Sequence, residues 1–136
     1  MYKNILIPVA LDHGSIHSAP FDVAKCLLAE GGKITLLNMV KKIPGYIEID
    51  LPKETQAKWI KESQTALEGL ARDNFPNALC KVLEGHPNHG ILDYANKMEA
   101  DCIVIASHKP GIQDYFLGST AARVVRHAKC AVHVIR

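Results

Sequence analysis

Apolar positions along this chain alternate between continuous short runs and runs of helical period, and that alternation predicts most of the elements. Lys3 to Val9, KNILIPV, is rich in branched residues and reads as a first strand buried on both faces. From Ser18 the pattern turns helical, with Val23, Ala24 and Leu27 on one face and an exit expected at Gly31-Gly32. Ile34 to Val40 is the second strand. Lys41 to Pro52 holds Pro44, Gly45 and Pro52 without a steady period and is expected to be a loop. Lys53 to about Asn74 is the longest helix, with Ile60, Leu67, Leu70 and Ala71 on its stripe and Trp59 expected to join them. Leu79 to Leu83 predicts a shorter, less buried strand interrupted by Lys81. Ile91, Tyr94, Ala95 and Met98 fall at i, i+3, i+4 and i+7 of a third amphipathic helix, followed by a fourth strand from Asp101 to Ala106. A last helix opens at Gly118-Ser119-Thr120, with Ala121, Val124, Val125 and Ala128 on its apolar face, and Ala131 to Ile135 closes the chain as a fifth strand.

Strands alternating with helices over residues 1–136 predict one α/β domain, a doubly wound five-stranded parallel sheet with helices on both faces. In the order 3-2-1-4-5 the strand order reverses between the first and fourth strands, and ligands of such sheets sit at the carboxyl ends there. Pro8-Val9-Ala10 is then expected opposite Ala106-Ser107-His108.

Composition narrows the function. Hydrophobic residues make up 48% and charged residues 22%, with a formal charge of +2, so the basic stripe that nucleic acid requires is missing. Cys26, Cys80, Cys102 and Cys130 lack paired spacing and read as small buried hydrophobes in a reducing cytoplasm rather than a disulfide framework. The apolar run at the N-terminus is too short for a signal peptide or membrane span, so a soluble cytoplasmic protein with no membrane or nucleic-acid partner is expected.

The stretch from Ile103 through Ala128 carries the candidate chemistry. After Ile105, the small Ala106 and Ser107 admit a ligand to the strand end, and His108 and Lys109 are donors. Gly118 allows close approach of an anion, and the amides of Ser119 and Thr120 begin a helix and favour negative charge. The rival reading is a plain helix cap made by the hydroxyls. Gly85 to Gly90, GHPNHG, has the glycine spacing of a Walker A loop, but Ile91 and Leu92 replace its Lys and Ser/Thr, so a turn with Pro87 at a helix start is the better reading. His86 and His89 read as solvent-exposed loop residues, and His13 and His17 likewise, in a loop bordering the pocket. Asp12 is the acid nearest the pocket; holding magnesium through water competes there with capping a turn, and the cap is preferred. No nucleophile with a positioned base stands out, and no catalytic residue is assigned.

KNILIPV, ITLLNMV, EGHPNHGILDYANKMEADCIVIASH and LGSTAARVVRHAKCAVHVIR together resemble the universal stress protein family over essentially the whole chain. The resemblance implies a five-stranded α/β fold, usually dimeric, and ATP binding through spaced glycines. Ala106 and Lys109 stand where two of those glycines are usual, and Ser107-His108-Lys109-Pro110 is similar to a shorter-loop variant, which places Lys109 as a charge near ribose or phosphate. Pro8, Val9 and Met39 match positions lining the adenine pocket, whereas Ala10 replaces the usual acid, which weakens the case for a metal contact. The first expectation is therefore a stress-response dimer that binds ATP or a related adenine nucleotide, with magnesium as an admissible companion, as a sensor or regulator without fast turnover. Val132 and Val134 on the last strand are expected to pair with a second copy. A protein-interaction module with a vestigial pocket and a slow ATPase or phosphotransferase remain as alternatives.

Overall fold

The computed structural model describes residues 1–11, 18–48, 54–107 and 117–136. Strands β1 (Tyr2–Pro8), β2 (Leu28–Val40), β3 (Leu79–Glu84), β4 (Cys102–Ala106) and β5 (Ala131–Ile135) form one all-parallel sheet in the order β3-β2-β1-β4-β5. The connections carry α1 (Ala19–Leu27), the short α2 (Gly45–Glu48), α3 (Thr55–Asn74), α4 (Pro87–Lys97) and α5 (Ser119–His127). The doubly wound order expected from the sequence is the order found.

Alternation along the strands divides the core between two faces. Ile5 and Ile7 of β1, Leu36 of β2 and Val104 of β4 pack with Phe21 and Ala24 of α1 and with Leu67 and Ala71 of α3. Their neighbours Leu6, Leu37, Ile103 and Ile105 point the other way, onto Ile91 and Ala95 of α4 and Ala121 and Val124 of α5. Because successive strand side chains face opposite sides, a strand buried on both faces must be apolar throughout, which is why β1 and β4 read as continuous runs. Edge strand β3 is only partly covered, at Cys80, Val82 and Leu83, and Lys81 is exposed.

Two hydrogen-bonded anchors fix the start of the central strands. The Asp101 carboxylate accepts from the amides of Lys3 (2.8 Å) and Asn4 (2.9 Å), and Asn4 Nδ2 donates to the Met98 carbonyl (2.6 Å). Among the described residues, no helix is long and apolar enough to cross a membrane.

Several local expectations are corrected. Helix α1 ends at Leu27 instead of the glycine pair, and β2 begins at once with Leu28. Pairing jumps from Tyr2↔Leu28 to Asn4↔Lys33, so Gly31 and Gly32 lie in a bulge of β2; Gly31 has φ of 75°, and a Cβ on Gly32 would sit 2.6 Å from Leu28 Cδ1. The expected loop after β2 contains α2. Trp59 does not join the buried stripe of α3 and is 43% exposed. Eight residues before Leu67, it lies about 80° round the helix from that side chain. Val125 is likewise exposed, being one position round from the buried Val124. Of the cysteines only Cys102 is buried; Cys80 and Cys130 are partly covered and Cys26 is exposed.

Candidate functional site

The site begins where the two central strands part. The β1–β4 ladder joins Ile5 to Cys102 and Leu6 to Ile103, with no later bridge. Beyond those pairs β1 continues alongside β2 as far as Pro8↔Leu37, and β4 continues alongside β5 as far as Ala106↔Ile135. A cleft therefore opens at the carboxyl end of the sheet at the point of strand reversal. Pro8, with no N–H, has nothing to donate across it.

Past Pro8 the chain is tied to β2. Val9 donates its N–H to the Leu37 carbonyl (2.8 Å), and its own carbonyl accepts from Asn38 Nδ2 (2.9 Å). Asn38 is buried, and its side-chain bond fixes the end of β1. It was not singled out from the sequence, although an amide inside the apolar run ITLLNMV was a signal, since buried polar groups need partners. Val9 packs in the α1/α3 core, Met39 in the α4/α5 core, and Ala10 is exposed. The Pro8, Val9 and Met39 positions thus meet at the edge of the sheet from its two faces and do not share one apolar wall.

The other side of the cleft is built by Ser107. Its N–H donates to the Ile135 carbonyl (2.7 Å), and its carbonyl accepts from the Gly118 amide (2.6 Å), which brings the start of α5 directly to the end of β4. Ile105 is buried, Ala106 is exposed, and Ser107 is 2% exposed. Its Oγ is buried with no hydrogen-bond partner among the described residues. A buried hydroxyl left in that condition costs free energy unless a ligand or solvent partner meets it.

Helix α5 starts without a side-chain cap. Gly118 is its N-cap, and the first intrahelical bond runs from Ala122 N–H to the Gly118 carbonyl (2.8 Å). The amides of Ser119, Thr120 and Ala121 precede that bond, so helix geometry gives them no acceptor inside the helix. The rival reading of this triplet as a hydroxyl cap is not realised. Thr120 instead donates its hydroxyl to Asn88 Oδ1 (2.7 Å), linking the starts of α4 and α5. Ser119 is exposed.

The start of α4 supports the same corner. Pro87 occupies the first turn, as the sequence suggested, and His86 is the exposed N-cap whose Nδ1 accepts from Asn88 N–H (3.1 Å). His89 is also exposed but lies within the helix, not the loop. Gly90 faces Met39: a Cβ there would collide with the methionine terminus, at 2.8 Å from its Sδ. His108, Lys109, Asp12, His13 and His17 lie outside the described residues.

These features form a small-residue cleft beside a helix start without a side-chain cap, an arrangement suited to an anion whose attached group enters the gap between strands. A model of the universal stress protein family matches residues 1–136. A universal stress protein of Methanocaldococcus jannaschii is 28% identical over 141 aligned residues, covering 100% of this chain and 83% of its own. The solved universal stress protein UspA of Lactobacillus plantarum is 28% identical, with a TM-score of 0.72 and coverage of 99% of this chain and 98% of its own. A universal stress protein of Archaeoglobus fulgidus, solved in complex with dAMP, shares the fold at a TM-score of 0.65 and 18% identity, covering 99% of this chain and 98% of its own.

Proposed function

This chain belongs to the universal stress protein family, and we propose that it binds ATP or a related adenine nucleotide as a stress-response sensor or regulator without fast turnover. The observation that carries this reading is the cleft left where β1 and β4 stop pairing, bordered by the unpartnered Ser107 hydroxyl and the glycine-capped start of α5. The dAMP complex of the Archaeoglobus fulgidus protein supports the choice of base.

In this proposal Val9 approaches the base from the α1/α3 face of the sheet, and Pro8 and Met39 from the α4/α5 face, as alternation along the strands requires, while Ala106 and Ser107, after Ile105, keep the strand end small enough for the sugar. The Val9 main chain is already bonded to Leu37 and Asn38, so its contribution is mainly shape. The Gly118 amide is likewise engaged by Ser107, which leaves the amides of Ser119 and Thr120 as the phosphate donors. His108 and Lys109 add charge near ribose or phosphate. Magnesium beside the phosphates, with Asp12 as the nearest acid in sequence, a cytoplasmic location and a homodimer through β5 belong to the same proposal.

Ala10, where an acid is usual, favours one second reading: a protein-interaction module whose pocket no longer binds nucleotide. Denaturing the purified protein and identifying the released small molecules separates the two. An adenine nucleotide is expected in the supernatant or, if lost in purification, saturable heat on titration with ATP. An empty pocket together with no calorimetric response to ATP or AMP would leave the interaction module.

A further inference from the structure

A groove of about 230 Å³ runs along the outer side of the α4–α5 pair, lined by Asn88, Ser119, Ala122, Arg123, Arg126 and His127. On α5 these positions are i, i+3, i+4, i+7 and i+8, a single stripe. None of the lining residues is acidic, and among the described residues no ion pair neutralises Arg123 or Arg126. A row of surface cations is ordinarily just a solvated face. Here, however, Arg123 Nε is buried and without a hydrogen-bond partner among the described residues, although that donor is always charged and seeks an acceptor.

The groove converges on one end. Helical side chains lean toward the N-terminus of their helix, so Arg123 and Arg126 rise toward Ser119. Asn88 stands across from them, near the start of α4, and is held in place: its Oδ1 accepts from Thr120 and its N–H donates to His86 Nδ1. That leaves Asn88 Nδ2 as a donor. Two guanidinium forks, an amide donor and a histidine around a space of this size match a tetrahedral dianion, which Arg binds through paired N–H groups.

We propose that this α4–α5 groove is a binding site for a phosphate group, with Arg123 and Arg126 as its principal ligands. The phosphate has two chemical sources. Ser119 borders both this groove and the helix start assigned above to the nucleotide, so the group is either the outer phosphate of that nucleotide or part of a separate small phosphorylated ligand. The first source rests on the adenine-nucleotide reading, and the second does not.

The test is a titration of the ¹⁵N-labelled protein with inorganic phosphate at constant ionic strength, following the Arg123 Nε–H resonance and the amides of Ala122 and Arg126. Saturable shifts are expected, and in a double variant, Arg123→Gln with Arg126→Gln, affinity should fall by about tenfold or more. Neither substitution touches the apolar core, and an unchanged amide spectrum elsewhere would establish that the variant is folded. Shifts confined to the first turn of α5 that spare Arg123 Nε, or equal affinity in both proteins, would overturn the proposal. A preference for ATP over AMP that disappears in the double variant assigns the phosphate to the nucleotide. Inorganic phosphate that still shifts Arg123 at saturating ATP assigns it to a separate ligand. If no adenine nucleotide binds at all, the response to inorganic phosphate still decides the groove.

Discussion

Burial separates four cysteines that look alike as letters in the chain. Cys102 at the start of β4 is covered on both faces, and burial, with Cys130 and Asp101 nearby adding to it, pushes its thiol up to about 11. Cys26 is exposed on α1. Because the thiolate is the reactive form, alkylation of the native protein near pH 8 should label Cys26 first and Cys102 only on unfolding, as read by mass spectrometry. Labelling of both at one rate would contradict the burial described. The folded Cys102 thiol ionises later than its ordinary value of 9.0, so its contribution to stability is complete below that pH and is lost as pH rises through about 11. Neighbouring apolar residues told residue type but not depth: Cys26 and Trp59 both sit in helices whose buried stripe runs elsewhere. The same blindness hid Asn38 and Asn88, whose roles depend on partners distant in the chain.

At the scale of elements, strands and helices could be read closely because a doubly wound sheet enforces two different periods. The boundaries that differ have local causes, as where the β2 bulge takes up Gly31 and Gly32. The glycines of GHPNHG show a subtler limit. They imitate the spacing of a phosphate loop, yet Gly90 lies within α4 and gives room to Met39 of β2. Gly90→Ala is therefore informative. Alanine favours the helix by about 1 kcal/mol, so the unfolding midpoint should change little or rise. The flexible end of Met39 must move to admit the methyl group, and adenine-nucleotide affinity measured by calorimetry should weaken. Unchanged affinity with a retained fold would mean that Met39 does not flank the base.

At the scale of the whole molecule, topology sets β1 beside β4, which is why the neighbourhood of these two strands was legible in the sequence across almost the full chain. The early end of the β1–β4 ladder and the groove beside α5 could not be foreseen, since both depend on how strands and helices diverge in space. The β5 edge belongs to this scale as well. Val132 and Val134 are half-buried against the α4/α5 core, whereas Ala131 and His133 are exposed. A dimer through β5 would pair main-chain edges and bring Ala131 and His133 of two copies together. Ala131→Glu with His133→Glu should turn a sedimenting dimer into a folded monomer by like-charge repulsion; a dimer that persists would place the interface elsewhere.

The proposed nucleotide site meets its most direct test at Gly118. This residue has φ of −58° and ψ of 152°, a conformation open to any residue, so Gly118→Val introduces bulk without backbone strain. In calorimetric titrations with ATP and AMP, saturable binding is expected for the natural protein. For a Gly118→Val protein with an unaltered circular dichroism spectrum, affinity should be weaker by about tenfold or more, some 1.4 kcal/mol. Equal affinity in the two proteins, or no binding by the natural one, would contradict a nucleotide held at the start of α5.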